Sequence, residues 1–220
     1  MALRNIKRIT AGDILKIYRN NSMLTRLHVW ARFKTCPFLS IEEFIPKKGL
    51  IIDYGCGHGV FSHILSIMSS ERDVYGIDIS EEKIEEAKKT EEKNSRVSFL
   101  NDSNSDNLIN QADAIAIVDV LCYFSDADRK KAIKRFYEIL KKDAMLLIKD
   151  MDSSLSLKYF WLYVQEFLAV KICGITKARL LNFFKAENFV MFLEEVGFKV
   201  QVVDLSRHYL YPHVAFVCKK

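Results

Sequence analysis

Leu50-Ile51-Ile52-Asp53-Tyr54-Gly55-Cys56-Gly57-His58-Gly59-Val60-Phe61 decides how the chain is read. Three apolar residues run into an acid. Glycines then stand at alternate positions, and an amphipathic segment follows from Phe61 to Met68. The apolar run has the character of a buried parallel strand. Glycines at 55, 57 and 59 predict a tight strand-to-helix turn whose backbone approaches a ligand closely, leaving no room for side chains. A nucleotide-type ligand suits such a turn. The dinucleotide pattern G-x-G-x-x-G does not fit, because its third glycine would fall at Val60.

What stands instead is Asp-x-Gly-x-Gly-x-Gly, and this resembles motif I of the class I S-adenosylmethionine (SAM) methyltransferases. SAM has no pyrophosphate to place on a helix N-terminus. Its ammonium and sulfonium are cations, which suit a strand-end carboxylate such as Asp53. Val74-Tyr75-Gly76-Ile77-Asp78-Ile79 is a second short strand ending in an acid, about twenty residues beyond the glycines, where a carboxylate accepts the ribose hydroxyls of a bound nucleoside. Ser80 then caps a helix with Glu81 and Glu82 in its first turn and Lys88 and Lys89 near its end. A ligand-free glycine turn and a solvated strand-end acid are the plainer alternatives. The two features together favour the ligand.

A length of 220 residues with half of them hydrophobic suits one domain with a real core. No apolar run of signal-peptide type stands near the N-terminus, so a cytoplasmic protein is expected. The five cysteines are scattered without a C-x-x-C, and no metal-ligand spacing is evident, so neither a disulfide framework, a zinc site nor any other metal is expected. The net charge of +5 is unevenly placed: residues 1–35 hold eight bases and one acid, whereas the remainder holds 25 bases and 27 acids.

From residue 49 strand and helix patterns alternate, with strands over 49–54, 73–79, 95–101, 112–119 and 144–150, and helices over 59–69, 80–93 and 127–141. A further helix from Glu187 to Val196 is stopped by Gly197, and strands 199–205 and 213–219 follow as an antiparallel pair. The fold class is therefore α/β: a seven-stranded, mostly parallel Rossmann-like sheet with a terminal antiparallel hairpin and helices on both faces. The resemblance to the class I fold covers residues 45–150 and 187–219. One domain over 1–220 is expected, comprising a basic helical segment (1–44), a SAM-binding core (45–150), a helical insertion (151–185) and the terminal helix and hairpin (186–220). In such sheets ligands bind beyond the carboxyl ends of the strands, where Asp53, Asp78, Asn101, Asp102, Asp119 and Asp150 fall.

The N-terminal segment shows two short helices, 11–19 and 22–34, with Trp30 and Phe33 among Arg26, Arg32 and Lys34. Three uses are open: lying across the mouth of the cofactor site, peripheral contact with an anionic membrane through residues 1–35, or contact with RNA. The modest, mixed charge pattern favours them in that order, and nucleic acid is not the expected partner. The stretch 151–185 is too long for a structureless connection. Leu157, Phe160, Trp161, Val164 and Leu168 on one face and Tyr159, Tyr163, Phe167 and Val170 on much of the other make its helix apolar nearly all round. It is either buried, by the core or by a second subunit in a homo-oligomer, or a lid lining an apolar acceptor pocket with Tyr159, Trp161 and Tyr163 as the aromatic wall.

The resemblance implies transfer of the SAM methyl by in-line displacement. It implies that Asp53, Gly55, Cys56 and Gly57 meet the methionine part, that Asp78 holds the ribose and that Ile79 packs on the adenine. It places Asp102 and Ser103 near the adenine amino group, although Asp102 is equally a turn residue in Asn101-Asp102-Ser103-Asn104. Asp119 and Val120 would line the cofactor or the acceptor. A general base is needed only if the nucleophile arrives protonated. Asp150, Tyr123 and His208 are the candidates, with Asp152 and His213 beside them. Asp119-Val120-Leu121-Cys122-Tyr123-Phe124 looks more like small-molecule methyltransferases than like the amino-directed nucleic-acid enzymes. The expected activity is methylation of a small, partly apolar and even lipid-like acceptor. An RNA methyltransferase and a non-catalytic SAM-fold subunit are the alternatives.

Overall fold

Leu50, Ile51 and Ile52 do form a strand, β1 (Lys48–Tyr54), whose Ile51, Ile52 and Asp53 are buried. The computed structural model describes residues 9–92, 96–101, 106–153, 182–207, 209 and 211–220. The expected insertion with Tyr159, Trp161 and Tyr163 lies outside the described residues, as do Asp102, Ser103 and His208. The seven strands follow the order β3-β2-β1-β4-β5-β7-β6, the mostly parallel arrangement with a terminal antiparallel hairpin that the alternation implied. Two compact units divide between Ser105 and Asp106.

In the first unit, helix α4 (Val60–Met68) leaves the glycine turn and buries Val60, Phe61, Ile64 and Leu65. Strand β2 (Glu71–Asp78) runs parallel to β1, with Gly76 opposite Asp53. Strand β3 (Val97–Asn101) runs parallel to β2. Between them lies α5 (Glu81–Lys88), with the Ser80 hydroxyl accepting from the Lys83 amide as expected of its cap. The sequence pattern carried this helix to residue 93, but it stops early. Thr90 is buried, returns its hydroxyl to the Ala87 carbonyl and meets His63 Nε2 at 2.7 Å, so the chain turns inward there.

Ahead of β1 stand α1 (Ala11–Ile17), α2 (Met23–Thr35) and α3 (Phe38–Glu42). Thr10 and Asp13 form a capping box on α1, and Ser22 caps α2. The short α3, absent from the sequence expectation, follows Pro37 and stacks Phe38 on Phe61 of α4 at 5.4 Å. All three helices pack on α4.

The second unit starts with α6 (Asp106–Ile109) and β4 (Ala114–Val118), a strand buried along its whole length. Helix α7 (Asp126–Ile139), capped by Ser125, leads to β5 (Met145–Met151), parallel to β4. Helix α8 (Ala186–Val196) ends on Gly197 at φ 114°, where a Cβ would lie 2.6 Å from the Tyr137 hydroxyl. Strand β6 (Lys199–Asp204) pairs antiparallel with β7 (His213–Lys219), and β7 pairs antiparallel with β5. Among the described residues, no helix is long and apolar enough to cross a membrane.

One buried cation ties the N-terminal helices to the sheet. Arg72 on β2 is fully buried, and its guanidinium donates to Glu42 Oε1 (2.6 Å) and to the carbonyls of Pro46, Ile45 and Leu65. Glu42, also fully buried, takes a second ion pair from Lys47 at 2.6 Å. Such a pair contributes little over an apolar substitute but is costly to break on one side. Arg72→Ala is expected to lower unfolding free energy by about 3–5 kcal/mol, because buried Glu42 loses one of its two partners and the carbonyls of Pro46, Ile45 and Leu65 lose their donor. The double change Glu42→Gln with Arg72→Met should recover much of that loss, both being read by urea denaturation.

Candidate functional site

The glycine turn is held from within the first unit. The amides of Gly55 and Cys56 both donate to the Ile77 carbonyl, at 2.7 and 3.0 Å. Asp78, at the end of β2, uses one oxygen for the Gly57 amide and the other for the Ser80 amide, each at 2.8 Å. The same carboxylate therefore fixes the turn and starts α5. A carboxylate has about four acceptor positions, so two remain for ligand hydroxyls.

The glycines serve different ends. Gly57, at φ 56°, faces open space, where the nearest neighbour of an added Cβ is Lys83 Cδ at 4.0 Å. Gly59, at φ 81°, has no such freedom, for a Cβ would sit 2.3 Å from the Phe99 ring. The expectation that all three glycines make room for a ligand is thus corrected at Gly59: the room there is taken by the protein's own phenylalanine. Phe99 also presses on Gly76, so the ring wedges between β2 and the turn.

Asp53 is almost fully buried and accepts from the Ser62 hydroxyl of α4 at 2.6 Å. Burial pushes its carboxyl up to about 7, with the Ser62 hydrogen bond opposing and the Asp78 charge adding to the rise. Cys56 beside it is raised well above the ordinary thiol value, first by burial and then by the charges of Asp53 and Asp78, so it is no thiolate nucleophile. Ile79, immediately after Asp78, is 81% exposed. The N-terminal helices fasten the turn from outside. Tyr18, fully buried, donates its hydroxyl to the His58 carbonyl at 2.7 Å, and His28 of α2 meets the His58 ring at 4.9 Å.

In the second unit, Asp119 follows β4 at φ 56°, its amide on the Lys149 carbonyl. Its carboxylate receives the ammonium of Lys149, a side chain with no exposed surface. Val120 leads into the single turn Leu121–Tyr123. Asp150 is buried, with Oδ2 on the Cys122 amide (3.1 Å) and Oδ1 on the Met151 amide (2.8 Å). Burial first, and the Asp119 charge next, raise its carboxyl above the ordinary range. Its bonds make it the anchor of the turn that carries Tyr123, which is half exposed. Asp152 caps α8 through the Ala186 amide.

A cavity of about 470 Å³ opens beyond β5, walled by Phe184, Phe189 and Phe192, with Lys130 and Lys185 beside them. Arg129 forms its floor, donating to the Leu121 and Asn182 carbonyls with its guanidinium over the Phe184 ring. Sequence reasoning passed over Arg129, Lys149, Ser62 and Tyr18. Lys149 carried a signal, since a lysine inside an apolar strand must find a partner. Arg129 in Asp126-Ala127-Asp128-Arg129 looked like an ordinary solvated charge.

A methyltransferase-domain family model matches residues 28–203. The chain belongs to that family. Its fold is that of the class I SAM-dependent methyltransferases, and SAM is their cofactor. Human N-acetylserotonin methyltransferase, solved in complex with SAM, superposes with a TM-score of 0.62 at 16% identity, covering 96% of this chain and 56% of that one. Magnesium protoporphyrin IX methyltransferase from Synechocystis PCC 6803, solved with bound SAH, gives 0.63 at 18% identity over 93% of this chain and 94% of that one. A curated relative, carboxy-S-adenosyl-L-methionine synthase of Nautilia profundicola, is 29% identical over 111 residues, which are 50% of this chain and 47% of the relative. The chain thus spans about half the length of the first relatives it matches.

The buried acid of motif I makes a pH signature. An unfolded aspartate ionises near 3.8, whereas folded Asp53 holds its proton to about 7. Between those values folded Asp53 binds more protons than unfolded, so its contribution to stability falls as pH rises and is lost above about 7. Asp150, also raised by burial, slopes the same way, whereas His28 and His63, lowered by burial to about 4, and Glu86, held down to about 2 first by its bond to Lys89, slope the opposite way, so the variant comparison is the informative one. Relative to wild type, Asp53→Asn should remove a decline of about 3 kcal/mol between pH 4.5 and 7.5, followed by urea unfolding.

Proposed function

We propose that the protein transfers a methyl group from SAM to a small, partly apolar acceptor. The observation that carries the cofactor half is the turn locked by Asp78, which leaves Gly57 open beside the exposed Ile79. These residues fit SAM. Asp78 keeps acceptor capacity for ribose hydroxyls, and Ile79 offers an uncovered apolar surface for the adenine. Asp53 supplies the negative charge that the ammonium and sulfonium require. The Nautilia relative is named for a carboxy derivative of SAM, which retains the same adenosyl part.

Bound SAM supplies an electrophilic methyl on a sulfonium. The chain's own part is alignment and exclusion of water, because a methyl transfer to an unprotonated nucleophile needs no further group. Where the nucleophile carries a proton, the hydroxyl of half-exposed Tyr123 is the candidate to take it. Asp150 acts through that turn by holding its backbone. The phenylalanine-walled cavity supports the acceptor half: its rings suit an apolar body, and Lys185 suits a polar end, whereas Lys130 is paired with Asp126 in the same wall.

Asp78→Ala should weaken binding of SAM and of its demethylated product by about 1.5–3 kcal/mol, through lost charge-assisted bonds and a loosened turn. Calorimetry showing unchanged affinity would remove Asp78 from the site. SAM affinity should also rise with pH through about 7, since a cationic ligand favours ionised Asp53, and this rise should vanish in Asp53→Asn. For the acceptor, Phe192→Ala should raise KM in a radiolabelled-methyl assay while leaving SAM affinity unchanged. An unaltered KM would place the acceptor elsewhere.

A further inference from the structure

Helix α2 is apolar on two opposite sides. One side, with Thr25 and Val29, is buried, and Thr25 reaches Glu86 of α5 at 3.1 Å. The other side carries Met23, Leu24, Leu27 and Trp30, which are 86%, 80%, 61% and 44% exposed. At 3.6 residues per turn these four make one stripe pointing away from the buried side. Four large apolar residues gathered on one helix form a patch, unlike a singly exposed leucine.

The rim of the stripe is basic. Arg26 and Lys34 flank it on α2, and Lys16 and Arg19 stand exposed just before it. Asp13 is the only acid in residues 9–35, and its carboxylate is engaged by Thr10 and Lys16.

We propose that this face of α2 docks the protein on an anionic lipid surface, with Met23, Leu24, Leu27 and Trp30 entering the headgroup boundary and the basic rim meeting lipid phosphates. Charge decides between occupants. A second copy seated on the same face would bring two sets of Arg19, Arg26 and Lys34 together with no free acid in the segment to pair them. RNA would use the cations, but it binds by stacking on aromatic rings, and three of the four apolar side chains here are aliphatic. A bilayer interface uses both the apolar depth and the positive rim, and tryptophan is favoured at that level. The inference is independent of the acceptor reading, since it concerns attachment and not transfer.

The test uses the full chain and vesicles of phosphatidylcholine with or without phosphatidylglycerol. Wild-type protein should co-sediment with the anionic vesicles, fail to do so with pure phosphatidylcholine, and be released by high salt. Leu24→Glu with Leu27→Glu, both surface changes, should lower vesicle binding at least tenfold while retaining SAM affinity and the circular dichroism spectrum. In a Trp161→Phe variant, Trp30 is the sole indole, and its emission should shift to the blue on adding anionic vesicles. Undiminished binding by the double variant, or no shift of Trp30, overturns the proposal. So does a wild type that ignores vesicles, and sedimentation velocity showing a dimer lost in the double variant would then give the face to a second copy.

Discussion

The two oxygens of Asp78 hold two backbone amides, and much of the first unit depends on that arrangement. Gly57 belongs to the turn after β1, and Ser80 belongs to the start of α5. Without the carboxylate, the turn would still have the Gly55 and Cys56 amides on Ile77 and Tyr18 on the His58 carbonyl, but the Gly57 amide would lose the bond that ties it to the start of α5. Phe99 supplies the complementary constraint from β3, filling the space that glycines at 59 and 76 leave. The turn is thus gripped by a polar clasp on one side and an aromatic wedge on the other. Preorganisation of this kind lowers the ordering cost of binding.

A similar economy appears in the second unit. The single turn Leu121–Tyr123 is fixed from three directions: Asp150 takes the Cys122 amide, the Asn182 amide reaches the Cys122 carbonyl, and Arg129 donates to the Leu121 carbonyl. Arg129 also reaches the Asn182 carbonyl, so the start of α7 and the chain before α8 share one cation. Its stacking over Phe184 adds an apolar partner to a charged group that is itself nearly buried. The acidic residues at the ends of β4 and β5 therefore shape a loop before they take part in any chemistry.

The strands and helices were legible because their signals are local. Apolar runs bounded by glycine and acid, the caps Ser80 and Ser125, and Gly197 after α8 each act within a few residues. The glycine turn and Asp78 were legible for the same reason, a fixed spacing along the chain. What the sequence hid is long-range pairing. Arg72 in Glu71-Arg72-Asp73 looks solvated, yet it is the buried counterion of Glu42, thirty residues earlier. Asp150 looked like a base at a strand end, but the tertiary structure encloses it and uses both its oxygens on amides. Residue type alone does not separate an acid that faces a ligand from one that holds a loop.

The buried carboxylates differ in what already neutralises them. Glu42 has Arg72 and Lys47. Asp119 has Lys149. Asp150 has two backbone amides, dipoles whose positive ends lie within hydrogen-bond distance. Asp53 is held by the hydroxyl of Ser62, a neutral donor, with the Arg32 charge acting only weakly, and so its proton is retained to about 7. Burial pushes Asp150 up to about 7 as well, despite its amides, so a cation brought near either acid replaces a proton that the site would otherwise hold. A ligand of like charge or none would not displace that proton. On the proposed reading, the acid of motif I, left half-neutralised by the fold, suits a positively charged partner such as a sulfonium cofactor.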